Sequence, residues 1–320
     1  MPRFERDETI PGVGGVTKPV TNVAASVGQR LRNLARDRNE DFALVLTKFA
    51  LERLLFRISQ SKHSKVFTLK GALLFGLWTQ QQYRPTRDAD FLARGESAPE
   101  RLAGIFKEIC ETTVTDDGLR FDAESVTAER IAEDAIYQGV RVRFAGYLEK
   151  ARIPVQVDIG FGDVITPPAE AADFPTLLDF PAPNLLIYSK ESVVAEKFEA
   201  MVTLGIANSR MKDFYDVRSL CRGFAFNGPL LSAAVLNTFA RRQTKLPTEK
   251  RPLVFTSEFY DDESKKKQWG GFCNKNKRYI APISLEHVCL SIGEFLIPMI
   301  EALKRNERLE QEWPVGGPWK

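Results

Sequence analysis

The chain has 320 residues, with 45 Lys and Arg against 42 Asp and Glu, so its formal charge is +3 and its pI is about 8.6. With 43% hydrophobic and 27% charged residues, the composition is that of a globular protein and excludes collagen, low-complexity disorder and a coiled-coil rod. The length favours two domains, or one domain with a sizeable appendage.

Neither a membrane segment nor a secretory signal is predicted. No stretch reaches the roughly 18–20 apolar residues that a spanning helix needs, and the charged N-terminus has no apolar signal region. We therefore expect a cytoplasmic protein with no membrane association. The four cysteines form no Cys-x-x-Cys pair and there are two histidines, which predicts free thiols and disfavours a zinc site or a Ser-His-Asp hydrolase.

The predicted elements divide the chain into an α/β half and a helical half. Proline and glycine predict an extended arm over residues 1–22. Hydrophobic periodicity then predicts helices at about 24–37, 40–60, 72–78 and 98–112, and strands at 66–69, 87–92, 120–123, 126–131, 137–148 and 153–159. Further helices are predicted at about 190–204, 210–223, 228–242 and 284–305, with an irregular basic insert at about 241–280.

These elements predict an α+β fold. A mixed β-sheet with flanking helices is expected over residues 23–183, and a mainly α-helical C-terminal domain over residues 184–320. A proline-rich connection marks the boundary between them.

Two aspartates, Asp88 and Asp90, stand two residues apart in the strand at 87–92. Alternate residues of a strand point to the same face, so both carboxylates project from one side of the sheet. Their repulsion favours a hard divalent cation, and Mg²⁺ commonly binds one or two carboxylates together with substrate phosphates. Asp158 ends a later strand and supplies a third carboxylate for a two-metal site. The alternative is an Asp-x-Asp pair at a solvated strand edge.

A turn of Lys70, Gly71 and Ala72 precedes this pair, between a predicted strand and a predicted helix. Its backbone N–H groups and the positive end of the helix suit a triphosphate. The turn, the aspartate pair and the later strand aspartate together predict a catalytic site. None of these motifs predicts one alone.

Together these motifs resemble the nucleotidyltransferases of the DNA polymerase β superfamily and, more closely, the AbiEii/AbiGii-type (MenT-like) toxin nucleotidyltransferases. Two segments support the closer resemblance: 193–201 resembles the family's Lys-x-x-Ala helix and 209–217 its Arg-x-Lys-Asp-x-x-Asp helix. The resemblance covers about residues 65–222 and implies an NTP substrate with Mg²⁺ or Mn²⁺. Ala72 stands where many relatives have Ser or Gly, so phosphate contacts there must come from backbone N–H groups.

The resemblance assigns roles to individual positions. It implies that Asp88, Asp90 and Asp158 bind metal, with Asp158 also a candidate base, and that Lys197 and Asp213 complete the catalytic set. Nucleotide contacts are assigned to Lys70, Gly71, Ala72, Arg87, Lys197, Arg210 and Asp216. The residues alone leave open that Lys197 lies on a solvated helix face and that Asp213 and Asp216 pair with Arg210 or Arg218.

Residues 241–278 hold eleven Lys and Arg against five Asp and Glu, a net charge of +6 that leaves −3 for the rest of the chain. Trp269, Phe272 and Tyr279 lie among or beside these cations, a composition suited to phosphate contacts and base stacking. RNA contacts are assigned to Lys265, Lys266, Lys267, Lys275, Lys277 and Arg278. The alternative is an ordinary exposed loop.

Three functional hypotheses follow. The first, which the resemblance implies, is a toxin of a toxin–antitoxin or abortive-infection system that transfers NMP from an NTP to the 3′ end of tRNA and blocks translation. The second keeps the fold but phosphorylates or nucleotidylates a protein hydroxyl, such as one on a cognate antitoxin. The third, of another class, is a non-catalytic module that binds nucleotide or RNA.

Overall fold

The computed structural model describes residues 22–79, 83–132 and 138–320, so the predicted arm at 1–22 lies outside the described residues except for its last residue. That residue, Asn22, caps the first helix, α1 (Val23–Asp37), by accepting a hydrogen bond from the Ala25 N–H. Asp41 caps α2 (Phe42–Gln60) in the same way through the Leu44 N–H. Side-chain acceptors at these positions satisfy N–H groups that the first helical turn leaves unpaired.

Seven strands build the central sheet. Their bounds are β1 (Phe67–Lys70), β2 (Asp88–Ala93), β3 (Leu119–Ala132), β4 (Gln138–Leu148), β5 (Ala151–Phe161), β6 (Glu170–Asp173) and β7 (Asn184–Ile187). The order across the sheet is β3-β4-β5-β2-β1-β7-β6, with parallel pairing between β2 and β5 and between β1 and β7 and antiparallel pairing elsewhere. The predicted mixed sheet is therefore confirmed.

Helices make up most of the remaining chain. Their bounds are α3 (Leu73–Trp78), α4 (Pro99–Cys110), α5 (Lys190–Leu204), α6 (Met211–Gly223), α7 (Gly228–Arg241), α8 (Ser257–Tyr260), α9 (Glu263–Lys275) and α10 (Leu285–Lys304). Two short strands, β8 (Phe226–Asn227) and β9 (Glu312–Trp313), pair with each other. In the described part of the chain, no helix is both long enough and apolar enough to cross a membrane.

The prediction of an irregular insert at 241–280 is wrong where α9 forms. Lys265, Trp269 and Asn276 of this segment are buried, and Phe272 is partly buried. Their spacing places them on one side of a helix, which packs through that side while Lys266, Lys267 and Lys275 are exposed. The high charge of the segment hides the helical periodicity of these buried residues in the sequence.

One hydrophobic core joins the sheet to the C-terminal helices. Beneath β1, the Phe67 ring packs edge-on against Phe91 of β2 and Phe106 of α4, with centroid distances of 5.6 Å in both cases. On β5 the buried hydrophobic residues are Ile153, Val155, Val157 and Ile159. Because successive strand residues point to opposite faces, the other face of β5 carries Asp158.

The division at residue 183 falls just before β7, which pairs with β1 in the central sheet. Residues 184–187 therefore belong structurally with the strands rather than with the helices that follow. Two domains with the bounds 23–183 and 184–320 stay a prediction.

Candidate active site

A row of four charged side chains crosses the sheet. In the strand register, Lys70 of β1 lies opposite Asp90 of β2, Asp90 lies opposite Asp158 of β5, and Asp158 lies opposite Arg141 of β4. Side chains opposite one another on adjacent strands share a face and lie about 5 Å apart. The sheet thus places two carboxylates between two cations, and Asp88 adds another carboxylate two residues before Asp90.

This row opens into a cavity of about 640 Å³. Residues of the predicted site line it from the strands and the glycine turn: Lys70, Gly71, Ala72, Asp88, Asp90 and Asp158. Others line it from α5, α6 and the residue before α6: Lys197, Arg210 and Asp213. The fold therefore brings together nine of the assigned residues from segments that are far apart in the sequence.

The pKa of the Asp90 carboxyl is strongly raised. Burial raises its pKa to about 7, the Asp88 carboxylate adds to the rise, and Lys212 and Lys70 oppose it. The Thr86 hydroxyl donates a hydrogen bond to Asp88 and orients that carboxylate. Two adjacent carboxylates with unfavourable mutual charge fit a divalent cation, since Mg²⁺ takes one or two carboxylates and completes its coordination with phosphates and water.

Asp158 is engaged by Arg141 in a bidentate ion pair. The Arg141 Nε and Nη2 atoms lie 2.7 and 2.6 Å from the two Asp158 oxygens. Among the described residues, no group of three or more acidic, histidine or cysteine side chains has the arrangement of a metal site. The donor set therefore fits a cation held by Asp88 and Asp90, and the roles of Asp158 as third ligand and as base stay predictions.

Lys197 lies between two carboxylates where α5 meets α6. Its ammonium contacts Asp213 and lies 3.0 Å from an Asp216 carboxylate oxygen. Burial opposes a charged amine, but Asp213 and Asp216 outweigh this effect and raise the pKa of Lys197. Its side chain is 15% exposed, so the alternative of a solvated helix face is wrong. The site holds a charged lysine in the cavity wall.

Asp216 lies behind the cavity wall and is fully buried. Besides Lys197, it binds Arg84 at 2.7 and 2.6 Å and accepts a hydrogen bond of 2.7 Å from the Tyr83 hydroxyl. Burial alone would raise its pKa, but Lys197 and Arg84 lower it to about 2. Asp216 thus positions Lys197, and a direct contact with nucleotide stays a prediction. Arg84 and Tyr83 belong to none of the sequence motifs, so their roles were not predicted.

A second network ties Lys70 to the end of α7. Lys70 lies 3.4 Å from Asp163 and 3.7 Å from Glu196. Arg242 binds the same two acids at 3.2 and 3.6 Å, and it also binds Glu199 at 2.9 Å. Arg242 is one of the cations of the predicted basic insert, and in the structure it lines the first cavity.

The six cations assigned to RNA lie on α9 and just beyond it. Five are exposed: Lys266, Lys267, Lys275, Lys277 and Arg278. Lys265 differs, because it is buried and its ammonium donates a hydrogen bond of 2.9 Å to the Asn208 carbonyl. Trp269 is also buried, and its Nε1 binds the Ile283 carbonyl, so the expectation that it stacks on a base is wrong. RNA binding by the exposed five stays a prediction.

Arg87, like Asp216, is an assigned nucleotide ligand that does not line the first cavity. Its exposed side chain lines a second cavity, of about 580 Å³, which shares Asp88 with the first. The assignment of Arg87 to the nucleotide stays a prediction.

This mixed sheet, with paired aspartates beside a glycine turn and facing cations from two helices, defines the protein as a nucleotidyltransferase. The sequence profile of the family described as nucleotidyl transferase AbiEii toxin, type IV TA system, matches residues 53–288. The chain therefore belongs to the AbiEii nucleotidyltransferase toxin family, and the predicted family and enzyme class are confirmed.

Solved structures similar to the chain include a candidate nucleotidyltransferase from H. pylori, with 14% identity and a TM-score of 0.43 over 81% of this chain and 95% of that one. JHP933 from Helicobacter pylori also matches, with 14% identity and a TM-score of 0.42 over 80% of this chain and 92% of that one. No curated protein matches the sequence.

The turn residue Gly71 approaches Asp90 so closely that no side chain fits. Its φ is +76°, in the region that favours glycine, and a Cβ added there would lie 2.0 Å from Asp90 Oδ2. The helix after the turn, α3, has six residues. The turn therefore contributes mainly through its position against the Asp90 carboxylate.

Gly71→Ala is expected to displace the Asp90 carboxylate and lower kcat by at least about a hundredfold, since a misplacement near 1 Å has that effect. The strained φ should also lower the free energy of unfolding by about 1–3 kcal/mol. The matched control is Gly104→Ala in α4, where an added Cβ meets nothing within 4 Å. This variant should keep full activity, and its free energy of unfolding should rise by roughly 0.5–1 kcal/mol. Equal kcat and equal urea midpoints for the two variants would contradict this role.

Proposed function

We propose that this protein transfers the NMP portion of an NTP to the 3′-terminal hydroxyl of tRNA, with Mg²⁺ or Mn²⁺ as cofactor, and thereby blocks translation. The observation that carries the proposal is the Asp88/Asp90 pair in a cavity that is otherwise rich in cations. Seven Lys and Arg side chains line that cavity against five Asp and Glu. An excess of positive charge beside a metal-binding carboxylate pair suits a triphosphate.

The donor is bound, in this proposal, with its phosphates against Lys70, Lys197 and Lys212. Nucleotidyl transfer depends mainly on positioning and on stabilising charge at the phosphates. A divalent cation held by Asp88 and Asp90 supplies charge neutralisation at the triphosphate. Lys197 keeps its charge because Asp213 and Asp216 surround its ammonium.

The reaction joins the acceptor to the α-phosphorus of the NTP. The acceptor hydroxyl oxygen forms a new bond to that phosphorus, the bond from phosphorus to the bridging oxygen breaks, and pyrophosphate leaves. Asp158 is the proposed acceptor of the hydroxyl proton, because it lies beside Asp90 in the register. This role requires Arg141 to release at least one of the two oxygens that it holds.

The acceptor assignment draws on the family resemblance and on the placement of α9. Lys265 anchors the start of this helix to Asn208, two residues before the cavity residue Arg210. The exposed cations of α9 therefore belong to a helix fixed beside the cavity, which suits a polyanionic acceptor. The proposal places the protein in the cytoplasm with a cognate antitoxin as its partner.

Incubation of the purified protein with tRNA, Mg²⁺ and each NTP in turn tests the proposal by intact mass of the RNA. We expect at least one NTP to add whole NMP units to the tRNA. Periodate-oxidised tRNA is the control, because it lacks the 3′-terminal diol and should gain no mass. A mass gain on a co-purified antitoxin with none on the RNA would favour protein modification and contradict the tRNA assignment.

A further inference from the structure

The second cavity is cationic and adjoins the catalytic one. It lies between the beginning of α2 and the region where β2, β4 and β5 meet, and Asp88 lines both cavities. Asp88 and Thr47 line the second cavity. The other polar side chains of its wall are Arg87, Ser125, Thr127, Arg143, Arg152 and Gln156. Among the described residues of its wall, three are arginines and one is an acid, so the cavity attracts anions.

The strand register places polar residues of this cavity on the same face of the sheet as the row in the first cavity, while Ile153 and Val155 line it from the other face of β5. Asp88 lies opposite Gln156, and Gln156 lies opposite Arg143, one step along the strands from the row of Asp90, Asp158 and Arg141. Arg152 precedes Gln156 by four residues on β5, so it projects from the same face of the sheet. A chain of positive and neutral polar groups therefore leads away from Asp88.

Two of the arginines are available for a ligand. Arg87 and Arg152 are exposed, and neither forms a hydrogen bond or ion pair with another described residue. Arg143 differs, since it contacts Glu129 and Gln156. In the catalytic cavity, by contrast, Arg84 and Arg141 are each held by an aspartate. Arginines without a carboxylate partner, beside an active site, are well suited to bind phosphate oxygens.

We propose that the second cavity binds the sugar–phosphate backbone of the acceptor RNA, so that the 3′ end reaches the catalytic cavity past Asp88. This inference rests on the proposed function, because it requires an RNA acceptor. Arg87 and Arg152 bind phosphates, while Ser125, Thr127 and Gln156 offer hydroxyl and amide groups to the ribose hydroxyls.

The donor triphosphate is the less suitable occupant. Among the described residues, the wall of the second cavity includes no glycine turn and one carboxylate of the Asp88/Asp90 pair. An acceptor strand, unlike the donor, must also extend away from its reacting end, and the shared Asp88 gives it a continuous path.

Arg152→Gln tests the inference through steady-state kinetics with tRNA. We expect KM for tRNA to rise roughly three- to tenfold, the range for one lost surface phosphate contact, with KM for the NTP unchanged. The slope of log affinity against log salt should become less negative by about 0.7 for each lost contact with a single strand. Thermal unfolding should match wild type, because Arg152 has no partner among the described residues.

Arg305→Gln is the matched control, since it removes the same charge from an exposed site that pairs with Glu307 and lines neither cavity. It should leave both KM values unchanged. The double variant Arg87→Gln/Arg152→Gln should have a larger effect on KM for tRNA than Arg152→Gln. A rise in KM for the NTP in the double variant, without a rise for tRNA, would overturn the inference.

The outcomes separate this inference from the proposed function. If wild type extends tRNA and the double variant has wild-type KM for tRNA and salt slope, the RNA site is wrong and the function stands. If wild type extends no tRNA, the proposed function is wrong. The RNA site is then tested separately by the fluorescence anisotropy of labelled tRNA in the absence of NTP. Weaker binding by Arg152→Gln than by Arg305→Gln would then support the RNA site, and equal binding would overturn it.

Discussion

Asp90→Asn is expected to abolish catalysis while making the protein more stable at alkaline pH. Loss of one of two adjacent anionic ligands removes several kcal/mol of metal-dependent stabilisation, so kcat should fall by at least about a thousandfold. Asp173→Asn, at an exposed position of β6, is the matched control and should keep wild-type activity. Transfer by Asp90→Asn at more than about a tenth of the wild-type rate would contradict this role.

The gain in stability follows from the direction of the Asp90 pKa shift. The folded protein raises this pKa from 3.8 to about 7. The charged form is therefore disfavoured by folding, and wild type loses stability as pH rises from about 4 to about 7. In EDTA at pH 8 the Asn variant should exceed wild type by roughly 1–3 kcal/mol in urea unfolding. The difference should disappear near pH 4, and a less stable variant at pH 8 would contradict the shift.

Asp216→Asn is expected to have the largest effect on stability. Asp216 is fully buried between Lys197 and Arg84, and neutralising it leaves Arg84 without its carboxylate partner and Lys197 with Asp213 alone. Breaking a buried ion pair in this way typically lowers the free energy of unfolding by about 3–5 kcal/mol. Urea unfolding at pH 7 measures the loss, with Asp173→Asn again as an exposed control. A loss below about 1 kcal/mol would contradict the described network.

The pH dependence of this loss has a defined sign. The folded pKa of Asp216 is about 2, below its ordinary value of 3.8. Its carboxylate therefore stabilises the protein fully above about pH 4, and this contribution is lost as pH falls through about 2. The gap between wild type and Asp216→Asn should be constant from pH 5 to 7 and should narrow between pH 4 and 2. If the stability difference did not change between pH 4 and 2, the loss would not come from the charge of Asp216.

Much of the fold and the carboxylate site was predictable because local periodicity determines them. Two-residue alternation places Asp88 and Asp90 on one face of a strand, and apolar residues at alternate positions of β5 turn Asp158 away from the core. The helix prediction at 190–204 matches the bounds of α5. Lys197 and Asp213 depended on the family pattern, since a charged residue on a helix does not by itself identify its partner.

The side chains that the sequence reading missed act through long-range pairing. Arg84 binds Asp216 across 132 positions, and Arg242 reaches Asp163 across 79. Arg141 is closer to Asp158 in sequence, but their contact depends on the register of β4 and β5, which composition does not specify. Such partners become visible only when the strands and helices are placed together.

In the basic insert, several cations are engaged by other parts of the fold. Arg241 donates to the Gly162 carbonyl and Arg242 binds three acids, while Lys265 binds a backbone carbonyl in the interior. These three cations belong to the fold, so the formal charge of the segment overstates the positive surface that it presents. The exposed arginines of the second cavity, Arg87 and Arg152, lie outside this segment.

Transfer of radiolabel from an NTP to tRNA tests the central claim most directly, comparing the α-phosphate and γ-phosphate positions in wild type and Asp90→Asn. Wild type should transfer the α-label to the RNA and release the γ-label with pyrophosphate, and Asp90→Asn should transfer neither. Transfer of the γ-label to any acceptor, or undiminished transfer of the α-label by Asp90→Asn, would contradict nucleotidyl transfer at the Asp88/Asp90 site.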